Sequence, residues 1–306
     1  MDNFWTVAGQ VGVLFALMGV GAACRRFRII DDKAIGGMVN LLLIVVTPCL
    51  IVDVFRRPFD VSMLRGLGVA FVMACAAHVA GIVLSAALLR GGGDSTRRVL
   101  HLAVVFSNAG FMGIPLEHAV LGDGGVFYGA VYVAVFNLFI WSWGVRLMGG
   151  GGSMAKMLLN PGTVGLAFAL PLFFFSVELP PALATPVHMM ANLNTPLAMI
   201  VVGYALAGAR LGPVVRMRGA YGAAFLRLVA MPLVMIAAMY PFRTVLPREM
   251  MFAIVIAASA PVAAMVSIFA ERYGHDLDAS VGIVSGTTLL SAVTMPAVIA
   301  LAMYVL

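Results

Sequence analysis

Residues Phe106–His118 read FSNAGFMGIPLEH. The sequence on both sides has the continuous apolar character of a helix crossing a bilayer. Within these thirteen residues an Asn, two Gly, a Pro and two ionisable side chains interrupt the span. A break of this kind frees backbone N–H and C=O groups that hydrocarbon cannot satisfy. It persists only where protein or a watery cavity supplies the missing partners. A helix broken at membrane depth therefore points to a site.

The composition places the stretch in lipid. Of 306 residues, 62% are hydrophobic and 10% charged, with a mean hydropathy of +1.05. Soluble domains carry roughly a quarter charged and about half apolar residues, so this chain has too few polar groups to cover itself in water. The net charge of +6 and pI of 9.6 would suit nucleic acid. The 19 basic residues form no face or tail, however, and sit between apolar runs as membrane anchors do, which argues against a nucleic-acid partner. Cys24, Cys49 and Cys75 lie within or beside apolar runs, make no CxxC pair and read as small packing residues.

Apolar runs long enough to cross about 30 Å of hydrocarbon fall near 4–24, 34–55, 61–89, 99–121, 126–148, 161–177, 187–211, 220–241, 250–271 and 279–306. The expected fold is thus an all-α integral membrane protein with ten transmembrane helices. The sixth run is short and ends before Pro180 and Pro181. The opening MDNFW has no positive n-region, so the first run is expected to be a retained span. The glycine-rich connections RGGGDSTRR and MGGGGSMAK leave no room for a soluble domain. With the first loop inside, the inside loops carry thirteen Lys and Arg, from Arg25 to Arg272. The outside loops carry five: Arg56, Arg57, Arg65, Arg243 and Arg248. That bias places both termini on the outer side.

The two halves of the chain resemble each other. VGVLFALM at 11–18 pairs with VGLAFALP at 164–171, and TPCLI at 47–51 with TPLAMI at 195–200, at shifts of 153 and 148. The halves are 1–153 and 154–306. Five spans per half insert the second copy upside down, an architecture common among secondary transporters. The fourth spans then correspond: FSNAGFMGIPLEHAVLG ends at Gly122 and AASAPVAAMVSIFAERYG at Gly274, a shift of 152. Asn108 falls opposite Ala260, beside Pro261. Two helices broken at one depth and running in opposite directions aim their second-half N-termini at the midplane, which suits an anion.

From Asn108 to Leu116, the run N-A-G-F-M-G-I-P-L resembles the fourth-span motif N-x-x-x-M-G-I-P-L of the auxin efflux carrier family. Phe269–Pro296 is similar to that family's ninth and tenth spans, and LLNPG at 158–162 to its entry to span six. The resemblance covers essentially the whole chain, without the long central loop of many plant members. It implies broken, crossing helices four and nine, and a transport domain (about 61–148 and 220–306) moving against a scaffold (about 4–55 and 161–211). It also implies a homodimer through the scaffold and carriage of carboxylates, malonate or related small acids in bacterial members of this size, across the inner membrane. Plant members have Pro where this chain has Ser107, and Gln where it has Val262. The general site is supported by these motifs, and auxin as substrate is not.

The candidate site follows. Asn108 is the leading residue, able to hold the loosened backbone of span nine or donate to a carboxylate. Around it lie Ser107, Gly110, Gly113, Pro115, Ser259, Ala260 and Pro261. Gly110 and Gly113 permit close approach or serve packing. Pro115 and Pro261 remove backbone donors. The Ser259 hydroxyl faces the crossing or bonds back to its own helix. Thr47–Pro48 and Asn194–Thr195–Pro196 are kinks framing the cavity from the scaffold, and Asn194 is near enough to reach substrate. Arg227, seven residues into span eight, either forks onto a substrate carboxylate or snorkels to the inner surface. Asp53 and Glu117 read as interfacial, and His78, in mid-span three, as a packed histidine or else a proton carrier. No role falls to His118, and Ser285, Thr287, Thr288 and Ser291 read as packing.

Other classes fit less well. HExxH and paired intramembrane aspartates are absent, and the SxxK match at Ser153–Lys156 lies in a glycine-rich loop without companion motifs. No GxxxxGK[ST] occurs, so this chain does not itself use ATP as fuel. A channel or a receptor on the same fold stays open, as does a cation-coupled symporter of another organic anion. One charge crossing 100 mV carries about 2.3 kcal/mol, so an anion leaves a negative-inside cell downhill. No cluster of buried carboxylates reads as a proton or sodium site, and no cofactor is expected. This leaves uncoupled efflux, or cations held by backbone carbonyls.

Overall fold

The computed structural model describes residues 2–91, 93–151, 161–208 and 217–306. The SxxK match, the boundary at 153/154, residues 158–160 of LLNPG, Arg210 and Arg216 lie outside the described residues. In the described residues the secondary structure is helical, without strands. The helices are α1 (Asp2–Arg26), α2 (Asp32–Leu41), α3 (Thr47–Phe55), α4 (Val61–Leu88), α5 (Asp94–Val105), α6 (Ile114–Leu121) and α7 (Asp123–Phe139). They continue as α8 (Pro161–Phe174), α9 (Pro181–Ala191), α10 (Asn194–Ala207), α11 (Arg218–Phe225), α12 (Met231–Met239), α13 (Arg248–Ser259), α14 (Met265–Arg272) and α15 (Leu277–Val305).

Among the described residues, seven stretches are long and apolar enough to cross a membrane: Val7–Arg26, Asp32–Phe55, Val61–Leu88, Asp123–Leu147, Pro181–Ala207, Arg218–Phe242 and Leu277–Val305. They coincide with expected spans one, two, three, five, seven, eight and ten. Span six is the shorter α8. Spans four and nine are each split, into α5 with α6 and into α13 with α14. Span seven begins at Pro181, six residues before the expected start. A proline is well placed at a first helical position, where its missing N–H costs nothing. The kink expected at Pro196 is a short non-helical step at Asn192–Leu193, between α9 and α10.

Three other prolines follow wide turns. One π-helical turn, Leu42–Val46, precedes Thr47–Pro48, a second, Ala109–Gly113, precedes Ile114–Pro115, and a third, Leu226–Ala230, precedes Met231–Pro232. A proline cannot donate to the carbonyl four residues back, and its ring crowds that carbonyl; a wider turn relieves both problems. Each span thus bends without ending. At the helix starts, Asp31, Asp60 and Asp276 cap α2, α4 and α15. The Ser62 hydroxyl, then the Met63 and Ser62 amides, donate to Asp60 and hold its carboxyl below the usual carboxylate range.

Three apolar clusters surround the breaks. One lies at one end of the molecule around α4, α7, α12 and α13, with Phe55, Phe127 and Met251 at its centre. A second lies at the opposite end around α5, α11, α14 and α15, with Phe106, Leu102 and Phe269. The third joins α1 and α10 to both broken spans through Leu14, Met18, Met112, Met199, Ile256 and Ala260. In this third cluster α1 and α10 pack backbone to backbone. A Cβ at Gly21 would collide with the carbonyl of Ile200, and a Cβ at Gly203 with the carbonyl of Met18. Each glycine clears the other helix's main chain, so the pair approaches closely.

Gly203→Ala should therefore force the two helices apart and cost about 1–3 kcal/mol, as overpacking does. Thermal unfolding in detergent should show a midpoint lowered by several degrees. Gly12→Ala, with open space around its Cβ position, should leave the midpoint unchanged or raise it.

Candidate functional site

The two breaks meet. α5 stops at Phe106, whose backbone is extended (φ −104°, ψ 106°), and α13 stops at Ala260, likewise extended (φ −60°, ψ 146°). The second stop has a local cause, because Pro261 pushes the residue before it out of the helical region. The two extended segments then lie antiparallel, with Ser107 opposite Val262. The Asn108 N–H donates to Pro261 O at 2.6 Å, and the Ala263 N–H donates to Phe106 O at 2.9 Å. Each break supplies the partners the other lacks, as the hydrocarbon around them demands. The Asn108 carbonyl then accepts from both Met112 and Gly113 (2.9 and 3.2 Å), which opens the wide turn leading into α6.

Two side chains from outside the broken spans complete the crossing. The Val262 N–H donates to Thr287 Oγ1 on α15 at 3.2 Å, and that hydroxyl donates on to Ile283 O at 2.7 Å. Arg227, fully buried in the wide turn between α11 and α12, donates through one terminal nitrogen to Val104 O (2.8 Å) and Val105 O (3.2 Å). Its other terminal nitrogen donates to Ala258 O. These carbonyls end α5 and α13. One guanidinium therefore caps the C-termini of both first half-helices.

A family model described as "Membrane transport protein" matches residues 6–157 and 151–299. Together these segments span nearly the whole chain. The chain belongs to this family, the auxin efflux carrier family to which its fourth-span motif pointed. A search of curated proteins finds no match. The protein is accordingly a membrane transporter, embedded in the bilayer through apolar helices, and its family is not one of enzymes.

Within this membrane transport protein the expected site residues divide into three groups. Ser107, Asn108, Ala260 and Pro261 form the crossing itself. Ser107 is fully buried and its hydroxyl has no partner, while Asn108 keeps a little exposure. Ser259 sits at the end of α13, but its hydroxyl donates back to Ile256 O at 2.9 Å. The glycines differ from a packing role. Gly110 faces open space, and a Cβ at Gly113 would make only ordinary contacts, 3.5 Å from the Ala109 Cβ and 3.6 Å from the Ala257 Cα.

The second group stands on α3 and α10, in the expected scaffold. The Thr47 hydroxyl donates to Asn194 Oδ1 at 3.3 Å, which brings the kinks at Pro48 and Pro196 together. α10, which carries Asn194, packs on the wide turn Ala109–Gly113. Asn194 is buried and its Nδ2 has no partner. Asn194 and Pro115 both line a cleft of about 190 Å³ between α6 and the scaffold helices. Two His–Asp contacts line it: His188 Nδ1 lies 2.8 Å from Asp53 Oδ2, and His118 Nε2 lies 3.4 Å from Asp123 Oδ1 beside α6. Asp53 also pairs with Arg56 at 3.1 Å.

The third group departs from expectation. Arg227 does not snorkel, because burial leaves it no route to a surface, and its terminal nitrogens are engaged by main-chain carbonyls. Glu117 is not interfacial: its carboxyl is completely buried and neither oxygen has a partner. Thr287 does more than pack. Nothing local in the sequence marks these roles, since each depends on which backbone another span delivers. His78 does pack as expected, with Nδ1 2.8 Å from Ala74 O and aromatic rings of Phe106, Tyr132, Phe136 and Phe139 around it. Thr288 and Ser291 donate to carbonyls of their own helix. Among the described residues no group of three or more His, Cys, Asp or Glu could hold a metal ion.

Arg227→Met should leave three buried carbonyls unpaired and cost about 3–5 kcal/mol, the range for breaking a buried charged interaction. A fall of several degrees in the unfolding midpoint checks it. Arg227→Lys should recover only part of the loss, because an ammonium lacks the fork that spans both helix ends.

Proposed function

We propose that this protein is a secondary transporter of small carboxylates, malonate-like dianions foremost, that binds its substrate at the crossing of spans four and nine. The observation carrying this reading is the hydrogen-bonded crossing with a buried donor in it, Ser107 Oγ, and a second, Asn194 Nδ2, on the helix that packs against the wide turn after it, neither with a protein partner. A buried donor left unpaired costs about 1–3 kcal/mol, which a carboxylate oxygen would recover.

The charge balance supports the same reading. A helix end carries about half an elementary charge. The two C-termini at the crossing are matched by the single positive charge of Arg227. The N-termini of the two second halves, at Ala109–Gly113 and at α14, then remain as a net positive field. An anion complements it. Arg227 acts here as the brace that separates the two fields, and Asn108 as the side chain beside the substrate.

The proposed architecture has ten spans in two inverted halves of five. The two short half-helix pairs and α8 complete the seven long spans, and the two family-matched segments meet at 151–157, beside the proposed boundary. The crossing and its companions form the transport unit. Spans one, two, six and seven form the scaffold, across which a second copy pairs. Alternating access arises as the crossing slides along the methionine-rich surface of α1 and α10, exposing the site in turn to each side. The Lys and Arg distribution supports both termini lying on the outer side, in what is proposed to be a bacterial inner membrane.

Uptake of labelled malonate into proteoliposomes tests this reading. The full chain should give saturable flux that responds to an imposed potential, and Asn108→Ala should lower that flux at least tenfold while the protein remains folded. Flux in the variant equal to wild type would remove the site from the crossing. Binding without any flux would favour a receptor, and flux that never saturates a channel.

A further inference from the structure

Glu117 is a buried acid that the crossing does not use. Its carboxyl is completely buried, and both oxygens lack a hydrogen-bond partner. The space it occupies is made by glycine. A Cβ at Gly129 of α7 would overlap Oε2, and Oε1 lies 3.8 Å from the Cβ position of Gly113. Ala109, Gly113 and Glu117 follow at intervals of four on one face, and the Gly113 position meets Ala257 of α13. The acid thus rides on the second half of span four, nine residues beyond Asn108, roughly 13 Å along a helix.

Among the described residues no cation pairs with it. The elements packed against α6 are α7, the wide turn Ala109–Gly113, α1, α13 and α10. On α7 the titratable groups are Asp123, at the outer end, and Tyr128 and Tyr132. On α13 they are Arg248 and Glu249, at its start. α1 has Asp2 at one end and Cys24, Arg25 and Arg26 at the other. α10 has Tyr204, which donates to Asp32, and the wide turn has none. On α6 itself His118 pairs with Asp123. Arg227 is engaged with the carbonyls of α5 and α13.

We propose that Glu117 is the proton-carrying group of this transporter, taking one proton from water on one side of the membrane and releasing it on the other in the same cycle that moves the carboxylate. The step is a proton transfer alone: carboxylate plus proton gives carboxylic acid, and the reverse returns both. An unpaired carboxylate in this position carries a large desolvation cost, which a proton removes. A metal ion would need several oxygen ligands, and no suitable cluster accompanies Glu117 among the described residues. An anion bound at the crossing repels a second negative charge at residue 117. Occupancy by substrate therefore favours the protonated acid, and the two ligands travel in the same direction.

This inference rests on the carboxylate-transport reading, so its test uses two separable readouts on the full chain in liposomes. With the potential clamped at zero, an inward proton gradient should drive wild-type accumulation of labelled malonate several-fold above the level reached without a gradient. Glu117→Gln should fall to that ungraded level while still exchanging labelled for unlabelled malonate, which also shows that it folds. Glu117→Asp should keep part of the gradient-driven accumulation. Undiminished accumulation in Glu117→Gln overturns the proposal. Infrared difference spectra between acid and alkaline buffer give the second readout. A protonated-carboxyl band present in wild type and missing from Glu117→Gln supports the proton site, and identical spectra overturn it. If wild type carries no malonate at all, the transport reading fails, and the infrared comparison alone decides whether Glu117 exchanges a proton.

Discussion

Four helix ends meet inside this protein at a depth where no lipid headgroup or bulk water balances them. Two are C-termini, α5 and α13, and their free carbonyls point into the same small volume. Arg227 holds both, from a third span. A single cation between two partial negative charges offsets its own desolvation and theirs together. Without it the breaks in spans four and nine would be unsatisfied polar backbone in hydrocarbon. The antiparallel pairing of Phe106–Asn108 with Pro261–Ala263 handles the remaining groups, and Thr287 takes the last amide of that segment within reach.

That brace also ties span eight to the first halves of both broken helices. α1 and α10 meet the broken spans through apolar surface, where Met18 and Met199 pack with Met112, Ile256 and Ala260. Methionine side chains adapt to shifted neighbours at little cost. The close approach of α1 to α10 at Gly21 and Gly203 leaves no room for side chains between those two helices at these positions. The proposed sliding of the crossing along α1 and α10 draws on this contrast between a close-packed helix pair and an adaptable surface.

Much of this was legible in the residues. The interrupted span at Phe106–His118 and its counterpart around Pro261 follow from broken apolar periodicity and a repeat at nearly constant shift, which also marks the kinks at Pro48 and Pro196. The start of span three matched because aspartate caps locally, as at Asp60, whereas span seven starts at Pro181, six residues earlier than hydropathy alone suggests. Arg227, Glu117 and Thr287 were not legible in the same way. Seven residues into a span, an arginine reads as snorkelling or substrate-facing; whether carbonyls from two other spans reach it is a matter of packing. A carboxylate four residues past Gly113 reads as interfacial until Gly129, on the next helix, is seen to enclose it.

Hydropathy, proline and glycine act within a few residues of themselves, so the residues alone set the lipid solvent, the long apolar helices and the position of the two breaks. Tertiary structure alone decided which groups satisfy the breaks and which are left over. Those outcomes depend on contacts between residues more than a hundred positions apart: Arg227 with Val104, Asn108 with Pro261, Thr47 with Asn194. No local pattern encodes a partner delivered from so far along the chain.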